Sequence, residues 1–442
     1  MRARIGLGAL ALAGGGLVGG GLAGCGAVGE GRRLELGPAE IVSQATTNGA
    51  TPMVLVTARG DRVVAWVSAP DGGADGILHF SVTPHGAAEP LPTVSLRDPL
   101  GSIEAHGEAP PKLASGPDGS IAVLYAVGKE VPGRRFPLSA LRFVRSEDLG
   151  RTWSAPVSVT GSEELGAYNF HALTTGPGGE LLATWLEARQ GKSGVWMSRS
   201  DDGGRRWSAP RPISTDPACP CCRTAVAVGR DGATFVAWRH ILASDVRDVV
   251  VARSADGGAT WGEPVRPRAH DWVFPGCPHA GPAMQLDSAG VLHLAWWTGK
   301  AGEAGVYYAR STDGGRTFVD VQPMAAGARS TPAHVQLAAA ADGTVVVAWD
   351  DGLSPLPRIL VRVSRDGGRR FGPTEVLSDE GVAASYPVVA LFGDSLAVAW
   401  SQRSDSAHRA ELAARPDMKD PKAVMRLPRV GQSEIFLRLG RL

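Results

Sequence analysis

The chain has 442 residues and carries 45 Lys and Arg against 44 Asp and Glu, which gives a formal net charge of +1. This balance, without a block of basic residues, argues against a nucleic-acid partner, because phosphate backbones are bound by clustered Lys and Arg. Beyond the N-terminal segment, no apolar run reaches the ~20 residues that a membrane-spanning helix needs.

The N-terminal segment has the pattern of an export signal. Arg2 and Arg4 precede an apolar run over residues 5–24, which predicts a signal peptide over residues 1–24. The run ends in Leu-Ala-Gly before Cys25, which resembles a bacterial lipobox; this resemblance implies cleavage before Cys25 and diacylation of its thiol. Because Gly26 is not an inner-membrane retention signal, we expect an exported lipoprotein of the outer membrane, facing the periplasm or the cell surface. The alternative is an ordinary secretory signal with a chance cysteine.

An octapeptide with the pattern Ser-x-Asp-x-Gly-x-Thr-aromatic recurs along the chain, with Arg replacing Thr in two looser copies. Successive copies are spaced by 53 to 57 residues, which is the period of a four-stranded propeller blade. An Asp in this position accepts backbone N–H bonds, and the glycines supply positive φ, so the pattern predicts a turn and not a catalytic site. The five aspartates are Asp148, Asp202, Asp256, Asp313 and Asp366.

A second periodic signal is an apolar strand that ends in Ala-Trp or an equivalent, and it occurs seven times. Each is preceded by a short strand and a turn, and most lead to a strand that enters an octapeptide. We therefore predict an all-β propeller with seven four-stranded blades over residues 37–442, after a linker at 25–36. Residues 37–43 read almost like residues 372–378, so we predict that they supply the outer strand of the last blade.

The octapeptides resemble the Asp-box, or BNR, repeat of the sialidase (neuraminidase) superfamily, and five copies at one period make the match specific. The resemblance implies that the boxes lie on the outer rim of the propeller, away from the catalytic centre. That superfamily has six blades, so six is the alternative to the seven units counted here.

Unusual residues lie about 14 to 19 positions before the Trp of several blades, where inner strands begin at the mouth of the central channel. Cys219 and Cys277 both lie 19 residues before their tryptophans, and Cys221 and His279 both lie 17 residues before. We therefore expect blades four and five to present the same Cys-Pro-x tripeptide side by side.

Three states of this cysteine group stay open. Four cysteines in an exported protein favour disulfides between the two loops. The vicinal pair Cys221 and Cys222, with His279 and His171, also suits copper or zinc, since thiolate and imidazole are ligands of those metals. A redox-active thiol pair is the third state.

The surrounding motifs resemble a bacterial subgroup of sialidase-like lipoproteins that carry Cys-x-Cys-Cys, an Arg-Asp pair, a Trp-containing loop and Cys-Pro-x-x-Gly-Pro. Here these motifs fall within residues 219–282, and the resemblance implies no known activity. The Arg-Asp pair, Arg247 and Asp248, is expected to be an exposed ion pair on a strand.

A true sialidase, by family resemblance, needs three arginines on the substrate carboxylate, a Tyr nucleophile activated by Glu, and an Asp acid/base. The early Arg-Ile-Pro motif of the family is absent from the first blade. The candidate catalytic residues are Tyr386, Arg223, Arg329 and Glu108, but they form no recognisable spacing motif. We expect Tyr386 to be a packing residue at the channel mouth.

These patterns favour a monomeric ligand-binding module at the cell surface, with a glycan or a metal as the ligand, because fold alone does not carry the sialidase reaction. An exo-α-sialidase or related glycoside hydrolase is the enzyme alternative. A metal-handling or thiol-redox protein that uses the Cys/His residues is the third.

Overall fold

The computed structural model describes residues 34–43, 48–68, 75–129, 131–132, 137–189, 192–326, 333–351, 356–414 and 433–442. Cys25 and the predicted signal peptide lie outside the described residues, and so does Arg329. The helix present in the described part is not long and apolar enough to cross a bilayer.

Seven antiparallel sheets follow one another along the chain. The strands up to the end of the third sheet are β1 (Glu35–Ile41), β2 (Gly49–Val56), β3 (Arg62–Ser68), β4 (Ile77–Thr83), β5 (Val94–Leu96), β6 (Ser102–Ile103), β7 (Lys112–Ser115), β8 (Ile121–Lys129), β9 (Leu138–Ser146), β10 (Val157–Ser158), β11 (Tyr168–Thr175), β12 (Leu181–Arg189), β13 (Lys192–Ser200) and β14 (Arg211–Ser214).

The remaining strands follow in the same antiparallel pattern. They are β15 (Ala225–Val228), β16 (Thr234–Ile241), β17 (Arg247–Ser254), β18 (Ala283–Leu286), β19 (Leu292–Thr298), β20 (Gly305–Ser311), β21 (Val319–Ala326), β22 (Val335–Ala339), β23 (Val345–Asp351), β24 (Arg358–Ser364), β25 (Glu375–Val376), β26 (Val382–Phe392), β27 (Ser395–Ser404) and β28 (Ser433–Arg441). A 3-10 turn spans Ala243–Asp245, and helix α1 (Asp405–Ala414) follows β27.

The sheets are the blades of an all-β, seven-bladed propeller, so the prediction of seven blades is confirmed and six is wrong. Blade 1 contains β2 to β5, blade 2 contains β6 to β10, and blade 3 contains β11 to β14. Blades 4, 5 and 6 begin at β15, β18 and β22. In blade 4 the fourth strand is reduced to one bridge, in which Val251 and Val265 exchange backbone hydrogen bonds of 2.9 and 2.8 Å.

Blade 7 is assembled from both ends of the described chain. Its sheet has the order β1-β28-β27-β26, and β1 pairs antiparallel with β28 from Glu35 opposite Arg441 to Ile41 opposite Phe436. This pairing covers the edge of β28, which would otherwise expose unpaired backbone groups.

Aromatic residues of the second strand in each blade form the centres of the hydrophobic layers between blades. Six tryptophans and one tyrosine occupy equivalent positions and are 0–2% exposed. Burial of an aromatic of this size removes roughly 200 Å² from water, a contribution of about 5 kcal/mol each. They are Trp66, Tyr125, Trp185, Trp238, Trp296, Trp349 and Trp400.

The five octapeptides form turns between the third and fourth strands of their blades. In the copy at residues 254–261, the Ser254 hydroxyl accepts the Gly258 N–H at 2.8 Å and donates to Asp256 at 2.6 Å. Asp256 also accepts the N–H of Thr260 at 2.9 Å. This network lowers the pKa of the Asp256 carboxyl, chiefly through the hydrogen bond from Ser254. The aspartates therefore hold turns.

The aromatic residue that ends a box packs against the preceding blade. Trp153 of blade 2 stacks on Phe80 of blade 1 with ring centroids 4.0 Å apart, and Phe371 of blade 6 meets Tyr308 of blade 5 at 4.8 Å. A Cβ at Gly368 would lie 1.7 Å from the Tyr308 hydroxyl oxygen, and this glycine also has a φ of +79°. Each such box thus stabilises its own turn and the packing between its blade and the preceding blade.

We predict that Ser254→Ala lowers the free energy of unfolding by about 1–3 kcal/mol, because the buried Gly258 N–H loses its acceptor. Urea denaturation of the purified chain measures the change. Ser288→Ala, at an exposed turn position, is the matched control and should stay within about 0.5 kcal/mol of wild type. Equal stabilities for the two variants would contradict the role given to the box serine.

Candidate functional site

A buried ion pair lies where the inner strands of several blades begin. Arg223, which precedes β15, donates from Nη1 to Glu108 Oε1, and its backbone N–H donates to Glu108 Oε2 at 3.3 Å. The Gly281 N–H donates to the same Oε2 at 2.7 Å, and Arg223 Nη2 donates to the Val335 carbonyl at 2.6 Å. Glu108 is 1% exposed and Arg223 is 3% exposed. The pair therefore links blades 2, 4, 5 and 6.

Two further ionisable side chains lie beside this pair. Burial, assisted by the charge of Arg223 and opposed by that of Glu108, lowers the pKa of Lys112 to about 7. His171 is fully buried, and its burial together with the Lys112 charge lowers its pKa to about 3. His171 therefore stays neutral at physiological pH.

The Tyr386 ring packs against His334, which is hydrogen-bonded to Asp350. Asp350 accepts His334 Nδ1–H at 2.6 Å and the backbone N–H groups of His334 and Tyr386 at 2.7 and 3.1 Å. Burial opposes the charge on His334, but the Asp350 carboxylate outweighs it and raises the pKa of His334. The Tyr386 ring lies 4.1 Å from the His334 ring, at a β-bulge where its φ is +58°.

Tyr386 fits there because Gly107 has no side chain; a Cβ at that position would lie 2.0 Å from the ring. Tyr386, Arg223 and His334 line a cavity of about 10 Å³. This is room for about one water molecule.

The structure thus brings together three of the four candidate catalytic residues, Tyr386, Arg223 and Glu108. Two residues that sequence reasoning missed, Asp350 and Lys112, belong to the same region. Asp350 directly follows Trp349. From this position its carboxylate accepts backbone hydrogen bonds from His334 and Tyr386, which belong to the inner-strand segments of blades 6 and 7. Because Glu108 already engages the Arg223 guanidinium, that arginine does not offer a free cation to a ligand.

The second feature of the channel mouth is the Cys/His cluster, which we define as Cys219, Cys221, Cys222, Cys277 and His279. Among the described residues, its four cysteines form no disulfide. The Cys219 sulfur lies 3.6 Å from that of Cys221 and 3.2 Å from that of Cys222. These distances are hydrogen-bonding contacts and are well beyond the ~2.05 Å of a disulfide.

The potential ligand atoms form two groups of three. Cys219, Cys221 and Cys222 make one group, and Cys221, Cys277 and His279 make the other, with all ligand atoms of a group within 4.8 Å of one another. Cys221 belongs to both groups. The three cysteines of the first group are 0–1% exposed. The cluster can hold metal, and His171, predicted as a further ligand, belongs to neither group.

His279 is aimed by an unusual backbone conformation, with a φ of +49°. Its Nδ1 is buried without a hydrogen-bond partner in the described part of the chain. Burial lowers the pKa of His279, against the charges of Glu108 and Cys219. A neutral imidazole is the form that binds metals.

Two buried arginines surround the cluster. Arg247 is 8% exposed and donates from Nη1 to the Cys219 sulfur at 3.3 Å and from Nε to the Phe274 carbonyl at 2.5 Å. Arg239 is 1% exposed and donates to the backbone carbonyls of Ala280 and Trp297 at 2.9 and 2.6 Å. Within the described ranges, neither arginine forms an ion pair with a carboxylate, although guanidinium groups stay charged in proteins.

The expectation of an exposed ion pair between Arg247 and Asp248 is wrong. Asp248 is 1% exposed, accepts the Asp271 N–H at 2.9 Å and pairs with Arg266 at 3.3 Å. Neighbouring residues on a strand point to opposite faces, so Arg247 turns to the cysteines while Asp248 holds the following loop.

The arginines act on the cysteine beside them. Burial opposes ionisation of Cys219, but hydrogen bonds from the other two thiols and the charges of Arg239 and Arg247 outweigh it, so the pKa of Cys219 is lowered. Burial raises the pKa of Cys221 and of Cys222. Among these three thiols, Cys219 is therefore the one whose ionised form its surroundings favour.

Comparison with known proteins agrees with this fold. Residues 60–275 match the BNR repeat-like domain family. Residues 60–275 of the propeller are therefore BNR repeat-like. No match was found among curated proteins.

Three solved structures share the fold at low sequence identity. A protein of unknown function from Dyadobacter fermentans is 16% identical, with a TM-score of 0.51 over 91% of this chain and 99% of that one. The polysaccharide lyase Uly1 is 12% identical, with a TM-score of 0.55 over 92% and 99%. An ulvan lyase bound to -[GlcA(1-4)Rha3S]- is 13% identical, with a TM-score of 0.53 over 82% and 93%.

We predict that Glu108→Gln lowers the free energy of unfolding by about 3–5 kcal/mol, because it leaves the buried Arg223 charge unpaired while keeping the side-chain size. Chemical denaturation measures the loss. The double variant Glu108→Gln/Arg223→Met is the control and should recover much of it. A single variant as stable as wild type would contradict the assignment of a buried ion pair.

Proposed function

We propose that this chain is a noncatalytic propeller that binds a soft metal, copper or zinc, through its Cys/His cluster. The observation that carries the proposal is the pair of buried cations, Arg239 and Arg247, which have no carboxylate partner among the described residues. A buried charge without a partner is strongly destabilising. Thiolates at the cluster would supply the missing negative charge.

The need for negative charge beside these two arginines favours a bound metal over disulfides and over a redox-active thiol pair. Two disulfides would be neutral and would leave both guanidinium groups uncompensated. A metal keeps the thiolates ionised and buried, because binding replaces their protons. A thiol-redox function would alternate between the two states and lose the compensation in its oxidised form.

Metal binding is also preferred to the carbohydrate alternatives. The fold likeness to polysaccharide lyases supports a glycan as ligand at the level of fold alone. The cavity beside Tyr386 has room for about one water, and Glu108 engages Arg223. A sialidase-type site needs free arginines for a carboxylate, so these contacts weigh against Tyr386, Arg223 and Glu108 as a hydrolase centre.

We also propose that the protein is a member of the sialidase superfamily and an exported lipoprotein anchored through Cys25 at the outer membrane. The five Asp boxes and the Leu-Ala-Gly-Cys sequence support this. Incorporation of a labelled fatty acid into wild type but not into Cys25→Ser is the expected result, and a label retained by Cys25→Ser would contradict it.

The metal is tested on full-length protein purified under reducing, anaerobic conditions, by copper and zinc analysis beside a thiol count. We predict bound metal in near-stoichiometric amount and thiols that react with alkylating reagents only after a chelator removes it. Cys221→Ser should lose metal, because its sulfur belongs to both groups of potential ligand atoms. Cys25→Ser is the matched control, because it removes the cysteine outside the cluster, and it should retain metal.

Two other results would each reject the proposal. Absence of metal with no titratable thiol would identify disulfides. Absence of metal with reversibly oxidised thiols would identify a redox function.

A further inference from the structure

We infer that the Cys/His cluster is a dinuclear copper(I) site in which the Cys221 sulfur bridges the two ions. This inference rests on the proposed function and specifies its ligand. The first ion would be held by Cys219, Cys221 and Cys222, and the second by Cys221, Cys277 and His279.

The division of the ligand atoms argues for two ions. A single tetrahedral zinc bound by four cysteines, with Zn–S bonds of about 2.3 Å, would require all sulfurs to lie about 3.8 Å apart. Here the ligand atoms fall into two groups of three that share the sulfur of Cys221. Five ligands with one shared provide three for each of two centres.

The chemistry of the groups selects the metal. Zinc in structural sites takes four ligands, and each group supplies three. Soft thiolates favour copper(I), and the site is rich in sulfur, with one imidazole. The first group is shielded from solvent at 0–1% exposure, whereas in the second group Cys277 and His279 are partly buried, with the His279 Nδ1 itself buried.

The charge balance of the site also agrees with two copper(I) ions. Four thiolates and two copper(I) ions leave two negative charges, and the buried Arg239 and Arg247 provide two positive ones. The guanidinium of Arg247 contacts the Cys219 sulfur at 3.3 Å, so this compensation is direct for the first ion. The second ion would also give a partner to the buried His279 Nδ1, which accepts no hydrogen bond from the described residues.

Reduced full-length protein is titrated anaerobically with copper(I) against a chromophoric copper(I) chelator, and bound copper is counted per chain. We expect two equivalents for wild type and for the control Cys25→Ser. His279→Ala and Cys277→Ser should each keep one equivalent, whereas Cys221→Ser should weaken both. His85→Ala, at an exposed position, is the control for loss of an imidazole and should keep two.

Arg247→Met should weaken the first ion by roughly 10- to 100-fold, as expected for loss of a group that supports a ligand. The circular dichroism spectrum of each variant checks folding, and the wild-type stoichiometry stands without any variant. One equivalent in wild type, lost in every cysteine variant of the cluster, would overturn the dinuclear site and leave metal binding intact. No copper or zinc bound would reject the proposed function itself.

Discussion

The channel mouth depends on two buried guanidinium groups that have no carboxylate partner in the described part of the chain. Arg239 and Arg247 are 1% and 8% exposed, and their donors go to backbone carbonyls and to a cysteine sulfur. Carbonyl dipoles solvate a cation but do not neutralise it, so an anion close by is required. The Cys219 sulfur contacts Arg247 and can carry negative charge, and the Cys221 and Cys222 sulfurs lie beside it. The ionisation of the cluster is therefore fixed by residues that bind no ligand themselves.

The propeller fold makes such a cluster possible from short, separate segments. Equivalent positions of blades 4 and 5 begin at the same height on the channel, so the Cys-Pro-x segments at Cys219 and Cys277 meet. The ion pair of Glu108 and Arg223 holds blade 2 against blade 4, and Gly281 binds the same carboxylate from blade 5. At the turns formed by the octapeptides, the closing aromatic residue packs against the preceding blade, as Trp153 does on Phe80. Rigid support from both ends leaves little freedom to the ligand groups, which favours binding.

Periodic features of the sequence were sufficient to predict the architecture, whereas pairings between distant blades were not. The Trp strands and boxes determine the blade count, because each unit repeats one local pattern of turns and apolar strands. The same period placed Cys221 beside His279. It could not exclude His171, which lies 14 residues before Trp185, within the same range of offsets, but two blades from Cys277. Glu108 and Arg223 are 115 residues apart, and no local pattern specifies their contact. Arg239 follows Trp238 on its strand, and only its packed neighbours show that it has no carboxylate partner among the described residues.

The most direct test of this account is diffraction from crystals of the copper(I)-loaded protein, with anomalous data collected at the copper edge. Two anomalous peaks on opposite sides of the Cys221 sulfur, both within bonding distance of it, are predicted. The Arg247 guanidinium should remain against the Cys219 sulfur. A single peak, or a bond between the Cys219 and Cys222 sulfurs with no peak, would contradict the account.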